Sequence, residues 1–255
     1  VGVSVVAPAH NEEGNIRRLI DEITAALAGS SFEIVIVDDG SIDSTRALVQ
    51  AAALTQSNVR CVAMLHTPQG KGNGQSAAFY AGFRASRGEL IAVLDADLQN
   101  DPSEIPAMID MLHRERAAMV QGDRSHARKD NIIRKFGSWV GRKFRLWLLG
   151  DTIRDTGCSL RVMRREVALA IPLQFRGMHR FIPVSARHLG YKVVEMRVTH
   201  RPRIAGETKY GLGIVQRALP GLRDLLAVAW MRDRRRPTEC IEVTLSESDR
   251  SGGGT

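Results

Sequence analysis

The chain has 255 residues, 44% of them hydrophobic, enough to bury one substantial core, and a single α/β domain with an elaborated C-terminal part fits that length. Three widely spaced cysteines, Cys61, Cys158 and Cys240, form neither a metal-ligand spacing nor a disulfide framework, which excludes a disulfide-stapled secreted class and points to a reducing cytoplasm. The net charge of +8 is unevenly divided: residues 1–110 carry 7 basic against 14 acidic side chains and the remainder 29 against 14, so a part suited to a cation precedes a part suited to a polyanion or an anionic surface.

In chain order, residues 3–7 read as a first strand rather than a signal peptide, because no basic leader precedes them. Pro8-Ala9-His10-Asn11-Glu12-Glu13 then leads into a helix with Ile16, Leu19, Ile20, Ile23 and Leu27 at helical spacing, ended by Gly29. Residues 32–37 are a second strand running into Asp38-Asp39-Gly40-Ser41, and Asp43-Ser44-Thr45 opens the next helix. Residues 59–65 read as a third strand, followed by the glycine-rich loop 66–74 and a helix through Ala77, Ala78, Ala81 and Phe83. The loop matches neither Gly-x-Gly-x-x-Gly nor the Walker pattern, so a tight turn and a phosphate contact through backbone N–H groups both stay open.

The apolar run 89–94 delivers Asp95-Ala96-Asp97-Leu98-Gln99, and Pro102 and Glu104 open the helix that follows. Ligands of open α/β sheets bind at such strand ends. The oxygen set Asp95, Asp97 and Gln99, with no His or Cys beside it, suits Mg²⁺ or Mn²⁺, and such a site is completed by substrate phosphates. Alternating strands and helices predict a largely parallel sheet, with three polar loops gathered at one edge.

Residues 118–124 read as a further strand ending in Arg124. Beyond it Ile132, Ile133, Phe136, Val140, Phe144 and Trp147 recur at helical spacing among Arg134, Lys135, Arg142, Lys143 and Arg145. Taken alone, this helix suits a membrane interface or a core-packed helix with a solvated basic face. A second element, residues 214–231, also leads into arginines, and together the two favour membrane-surface contact. No run approaches the roughly 20 apolar residues of a spanning helix. Residues 246–255 are polar, Gly-rich and expected to be disordered.

The Pro8–Glu12 segment, Asp38-Asp39-Gly40-Ser41 and Asp95-Ala96-Asp97-Leu98-Gln99 together resemble the inverting GT-A glycosyltransferases of family 2. Gly122-Asp123-Arg124, Arg134 with Ser138, residues 155–161 and Arg203-x-x-Gly206-x-Thr208-Lys209 are similar to the polyprenyl- and dolichyl-phosphate glycosyltransferases of the dolichol-phosphate mannose synthase type. The resemblance covers about residues 3–212. It implies a catalytic domain over 1–212, a membrane-surface helix over 213–236 and a polar tail over 237–255. It further implies that Asp95, Asp97 and Gln99 bind the metal and donor diphosphate, that Pro8, His10, Glu12 and Asp39 line the nucleoside, with Lys71 as a further donor contact, and that Arg124, Arg134, Ser138, Arg203 and Lys209 hold the acceptor phosphate. Asp97, Arg124 and Arg203 are the residues on which transfer would depend.

The expected activity is therefore metal-dependent transfer of one sugar from a GDP- or UDP-sugar to a polyprenyl phosphate, by a peripheral protein at the cytoplasmic face of a membrane. Three rivals stand beside it. A saccharide or other hydroxyl acceptor would require a carboxylate base, with Asp151 or Asp155 as candidates. A nucleic-acid binder is suggested by the basic half but disfavoured by 5% aromatics and the lack of a recognition motif. The third is a nucleotide-sugar binder without catalytic activity.

Overall fold

In the computed structural model, residues 1–68, 70–126, 132–202, 214–236 and 238 are described, and the side chains of 132–140 and 214–219 are not. Arg203, Gly206, Thr208, Lys209, Cys240 and the 246–255 tail therefore lie outside the described residues, as do the side chains of Arg134 and Ser138.

The strands with apolar residues on both faces form the centre. β1 (Val3–Ala9) pairs in parallel with β2 (Phe32–Asp38) on one side and β4 (Leu90–Val93) on the other, and β3 (Val59–Ala63) extends the sheet beyond β2. Val5, Val6, Ile34 to Val37 and Ile91 to Val93 are all fully buried, as helices on both faces require. The third strand stops at Ala63, two residues short of the reading from sequence. It is an edge strand and only partly buried.

The sheet has seven strands in the order β3-β2-β1-β4-β6-β5-β7. β6 (Arg161–Arg164) lies antiparallel between β4 and β5 (Met119–Asp123), and β7 (Val193–Arg197) runs parallel to β5. β4, β5 and β7 thus point the same way, and their carboxyl ends share one edge with those of β1 and β2.

Helices α1 (Ile16–Ala26), α2 (Thr45–Thr55) and α4 (Ile105–Arg114) close one face over Ile20, Ile23, Val49, Met108 and Leu112. α3 (Gln75–Ala85), α6 (Arg165–Ala170), α7 (Ile182–His188) and α8 (Ile214–Arg234) cover the other, where Phe79, Phe83, Val167, Val184, Leu225 and Val228 pack. Gly82 of α3 lies so close to the sheet that a Cβ there would stand 2.5 Å from Val6 Cγ1 and 2.9 Å from Val37 Cγ2. α5 (Ile132–Leu149) packs against α8.

Candidate active site

Three polar loops meet at the carboxyl edge, and each is tied to the next by backbone-to-side-chain bonds. At the end of β1, His10 Nδ1 lies 2.7 Å from the Asp39 carbonyl and the Glu12 amide donates to Thr45 Oγ1. At the end of β2, the buried Asp39 carboxylate accepts the amides of Asn73 (2.8 Å) and Gly74 (2.7 Å) from the glycine loop. Gly72 is required for that approach. Its φ is +64°, and a Cβ would meet Asp39 Oδ2 at 2.5 Å. The loop is thus held against β2 by its amides, while Lys71 is exposed. Pro8 is half-buried inside β1.

After β4 the chain builds a compact loop from its own polar side chains. Asn100 Oδ1 accepts the Asp95 amide, Asp97 Oδ1 accepts the Gln99 amide in an Asx turn, and Leu98, fully buried, sits at φ +61°. Both oxygens of Asp95 are held by neutral donors: Gln75 Nε2 donates to Oδ1 and Ser159 Oγ to Oδ2, each at 2.6 Å. Burial, followed by the nearby charge of Asp97, pushes the Asp95 carboxyl above the usual range, against the opposing effect of Ser159, Arg124 and Arg161. Two carboxylates that repel one another, in a setting of oxygen donors and with a Gln carboxamide two residues on, fit a hard divalent cation.

On the basic side, Arg124 follows β5 and is already engaged. Its Nε donates to Asp155 Oδ2 at 2.9 Å and its Nη2 to the Gly157 carbonyl, while Asp155 Oδ1 accepts the Gly157 amide. Asp151, buried, accepts the Ile153 amide and lies 3.8 Å from Arg145 Nη1, which also bonds Thr156 Oγ1. Of the two carboxylates considered as a base, Asp155 is hydrogen-bonded to an arginine, whereas Asp151 Oδ2 is buried, accepts no hydrogen bond among the described residues and has Arg145 only as a more distant counter-charge.

Several residues at this edge were not legible as functional. Gln75 and Ser159 hold Asp95 from 20 and 64 positions away, and neither type signals such a role. Arg161 is 2% exposed and spends its guanidinium on the carbonyls of Cys158, Ser159 and His179; burial lowers its pKa to about 10. His179, whose place beside Arg180 in the sequence allows it to approach the site, is held there by Ser76. Ser76 Oγ accepts the His179 amide at 3.1 Å and stands 2.8 Å from its Nδ1, so one hydroxyl holds both the backbone and the ring of His179. Burial, then Arg180 and Arg161, lowers its pKa to about 3, so the ring is neutral at physiological pH.

The Glycosyl transferase family 2 model matches residues 4–171, from β1 through α6. The dodecaprenyl-phosphate galacturonate synthase of Rhizobium johnstonii is 35% identical over 240 residues, 92% of this chain and 69% of that protein. An undecaprenyl-phosphate 4-deoxy-4-formamido-L-arabinose transferase of Pseudomonas aeruginosa is 40% identical over 216 residues, 82% of this chain and 60% of that protein. The chain thus spans well under the full length of these relatives. Among solved structures, glucosyl-3-phosphoglycerate synthase from Mycobacterium tuberculosis, in complex with Mn²⁺, uridine diphosphate and phosphoglyceric acid, matches with a TM-score of 0.64 at 20% identity, covering 93% of this chain and 80% of that one. The mannosyltransferase PcManGT from Pyrobaculum calidifontis, in complex with GDP-Man and Mn²⁺, gives 0.62 at 20% identity, over 92% and 65%. These likenesses show the GT-A fold. The family-model match and the relative of which it spans more than two thirds add the lineage: the chain belongs to glycosyl transferase family 2 and is a glycosyltransferase.

Proposed function

We propose that the protein transfers a single sugar, with inversion, from a nucleotide-sugar to a polyprenyl phosphate at a membrane surface, assisted by Mg²⁺ or Mn²⁺. The observation that carries this reading is the hydrogen-bonded pairing of Asp155 with Arg124, beside an Asp151 that is fully buried. A hydroxyl acceptor requires a base, and of the two carboxylates suggested for that task Asp155 is held by Arg124 while Asp151 is 1% exposed, out of reach of an acceptor in solvent. An acceptor phosphate is anionic at neutral pH and needs no base. Its oxygen attacks the anomeric carbon as the bond to the nucleoside diphosphate breaks on the opposite face, and no proton has to move. The names of the relatives, which act on dodecaprenyl and undecaprenyl phosphates, support the same acceptor class.

In this reading His10, Glu12 and Asp39 form the wall against the nucleoside, and Asp39 keeps the glycine loop in place through the Asn73 and Gly74 amides. Asp95, Asp97 and Gln99 would hold the cation, which when bound supplies charge stabilisation for the departing diphosphate. Arg124, fixed by Asp155, presents a guanidinium of set orientation toward an anion, and Arg134, Ser138, Arg203 and Lys209 complete the acceptor set. Membrane contact would fall to the apolar surface of α5 and α8, where Phe144, Trp147, Leu222, Leu226 and Trp230 are exposed among arginines. Among the described residues no helix is long and apolar enough to cross a membrane.

The test is incubation of the protein and Mn²⁺ with a panel of UDP- and GDP-sugars and a short polyprenyl phosphate, followed by mass spectrometry of the lipid fraction. A polyprenyl-phosphate sugar formed from one donor is expected. Transfer to saccharide acceptors alone would overturn the reading.

A further inference from the structure

The loop after β4 is held together from within, but one of its ties comes from a distant part of the chain. Four residues past the end of β7, the amide of Arg201 donates to the Gln99 carbonyl at 3.0 Å. Its guanidinium spans two elements: Nη1 reaches Glu22 Oε2 on α1, and Nη2 reaches Asp101 Oδ2 at the far end of the loop, both at 2.6 Å. Two residues earlier, Thr199 gives its amide (2.9 Å) and its hydroxyl (3.2 Å) to Glu104 Oε1. Residues 199–201 therefore grip the segment 99–104 at four points and brace it against α1.

The loop needs such a brace because Leu98, a branched residue, occupies the left-handed region at φ +61°, a conformation that survives only when its surroundings fix it. The buried Leu98 side chain and the Asx turn at Asp97 fix it from inside. Arg201 fixes the opposite side, where the chain passes from Gln99 to Asp101. If this brace loosened, Asp97 and Gln99 would lose their relation to Asp95, whose own carboxylate is separately held by Gln75 and Ser159. We infer that Arg201 is a positioning residue for the donor loop, acting through Gln99 and Asp101 without touching substrate. The inference rests on the proposed function only in taking this loop as the donor-diphosphate site.

Four variants separate the two legs of the brace. Arg201→Ala removes both, Arg201→Lys keeps the charge without the fork, Asp101→Asn neutralises the loop leg while keeping a cap acceptor for the Ser103 amide, and Glu22→Gln weakens the α1 leg together with the Arg18–Glu22 pair within α1 while sparing the loop leg. Each is measured by melting temperature, by amide hydrogen exchange of residues 97–101 without ligand, and by calorimetric binding of UDP and GDP with Mn²⁺. Arg201→Ala and Asp101→Asn are expected to speed exchange in the loop and to weaken nucleotide binding about tenfold or more, the scale of losses when a metal site's supporting partners are removed. Arg201→Lys should fall between them and wild type. Glu22→Gln should lower the melting temperature with loop exchange and nucleotide binding close to wild type. Unchanged exchange in Arg201→Ala, or a Glu22→Gln variant as impaired in binding as Asp101→Asn, would overturn the inference and leave Arg201 a purely structural ion pair. If wild-type protein binds neither nucleotide, the proposed function fails, and the exchange measurements still decide whether Arg201 holds the loop.

Discussion

At the end of β4 the Asp95 carboxylate is held by two neutral donors, Gln75 and Ser159, whereas just past β5 the Arg124 guanidinium is held by the opposite charge of Asp155. The two strand ends share an edge of the sheet, yet they treat charge differently. Neutral donors fix the Asp95 carboxylate without a direct ion pair, and Arg124 and Arg161 act on it only through their charge. An ion pair fixes the guanidinium but cancels much of its field, so Arg124 offers direction more than net charge, and other basic residues are needed to draw in an anion.

The contrast is sharpest if the charge after β4 serves chemistry and the pair after β5 serves architecture. Asp97→Ala is then the largest effect. Glycolipid formation should fall by about 10²-fold or more, the scale of losing a key electrostatic stabiliser, with the melting temperature little changed. Full activity in this variant would remove the cation from the scheme. Asp155→Ala should instead unfold the protein more easily, by about 1.5–3 kcal/mol in denaturant titration, because the half-buried Arg124 loses its charged hydrogen-bond partner. An Asp155→Asn protein with wild-type stability would break the comparison, because the pair would then hold nothing together.

Glu33 combines both means of holding a charge and tests them together. Burial alone would raise its carboxyl, but the Ser4 hydroxyl, Arg60 and the Arg87 amide outweigh it and hold the group below its ordinary value of 4.5. A depressed folded-state pKa gives stability that is fully present above 4.5 and is lost as pH falls through the folded value. Glu33→Gln should therefore lower stability at neutral pH by about 1–3 kcal/mol, and the gap to wild type should close in acid. A gap that stays constant with pH would assign the loss to packing. The smallest effect on the enzyme itself is expected from Trp147→Ser with Trp230→Ser. These residues are 77% and 63% exposed, so the double variant should melt as wild type and turn over a short acceptor normally, while sedimenting less with anionic vesicles. Unchanged vesicle binding would move the membrane contact elsewhere.

What the sequence discloses follows from how each part is stabilised. β1, β2 and β4 are legible because burial on both faces makes them continuous apolar runs, and the Asp95 loop is legible because it follows such a run directly. β6 and β7 escape notice because each is only four or five residues long and carries charged side chains, Arg161 and Arg164 in one, Glu195 and Arg197 in the other. Burial of Arg161 is intelligible only once the carbonyls of Cys158, Ser159 and His179 converge on it. The hold of Gln75 and Ser159 on Asp95 likewise depends on α3 and the start of β6 meeting at one place. The sequence shows the groups that carry charge; the groups that steady them are ordinary residues brought near by topology.

The tight seat of Gly82 against Val6 and Val37 gives the molecule a hidden lever. Gln75 and Ser76 stand two turns away at the other end of the same helix, roughly 10 Å along its axis. A single methyl group at Gly82 would lift α3 off the sheet, and a rigid rod displaced in its middle also moves at its end. Damage on the apolar underside would then surface as slack around Asp95 and His179, so a change remote from every charged group could register as a fault in catalysis.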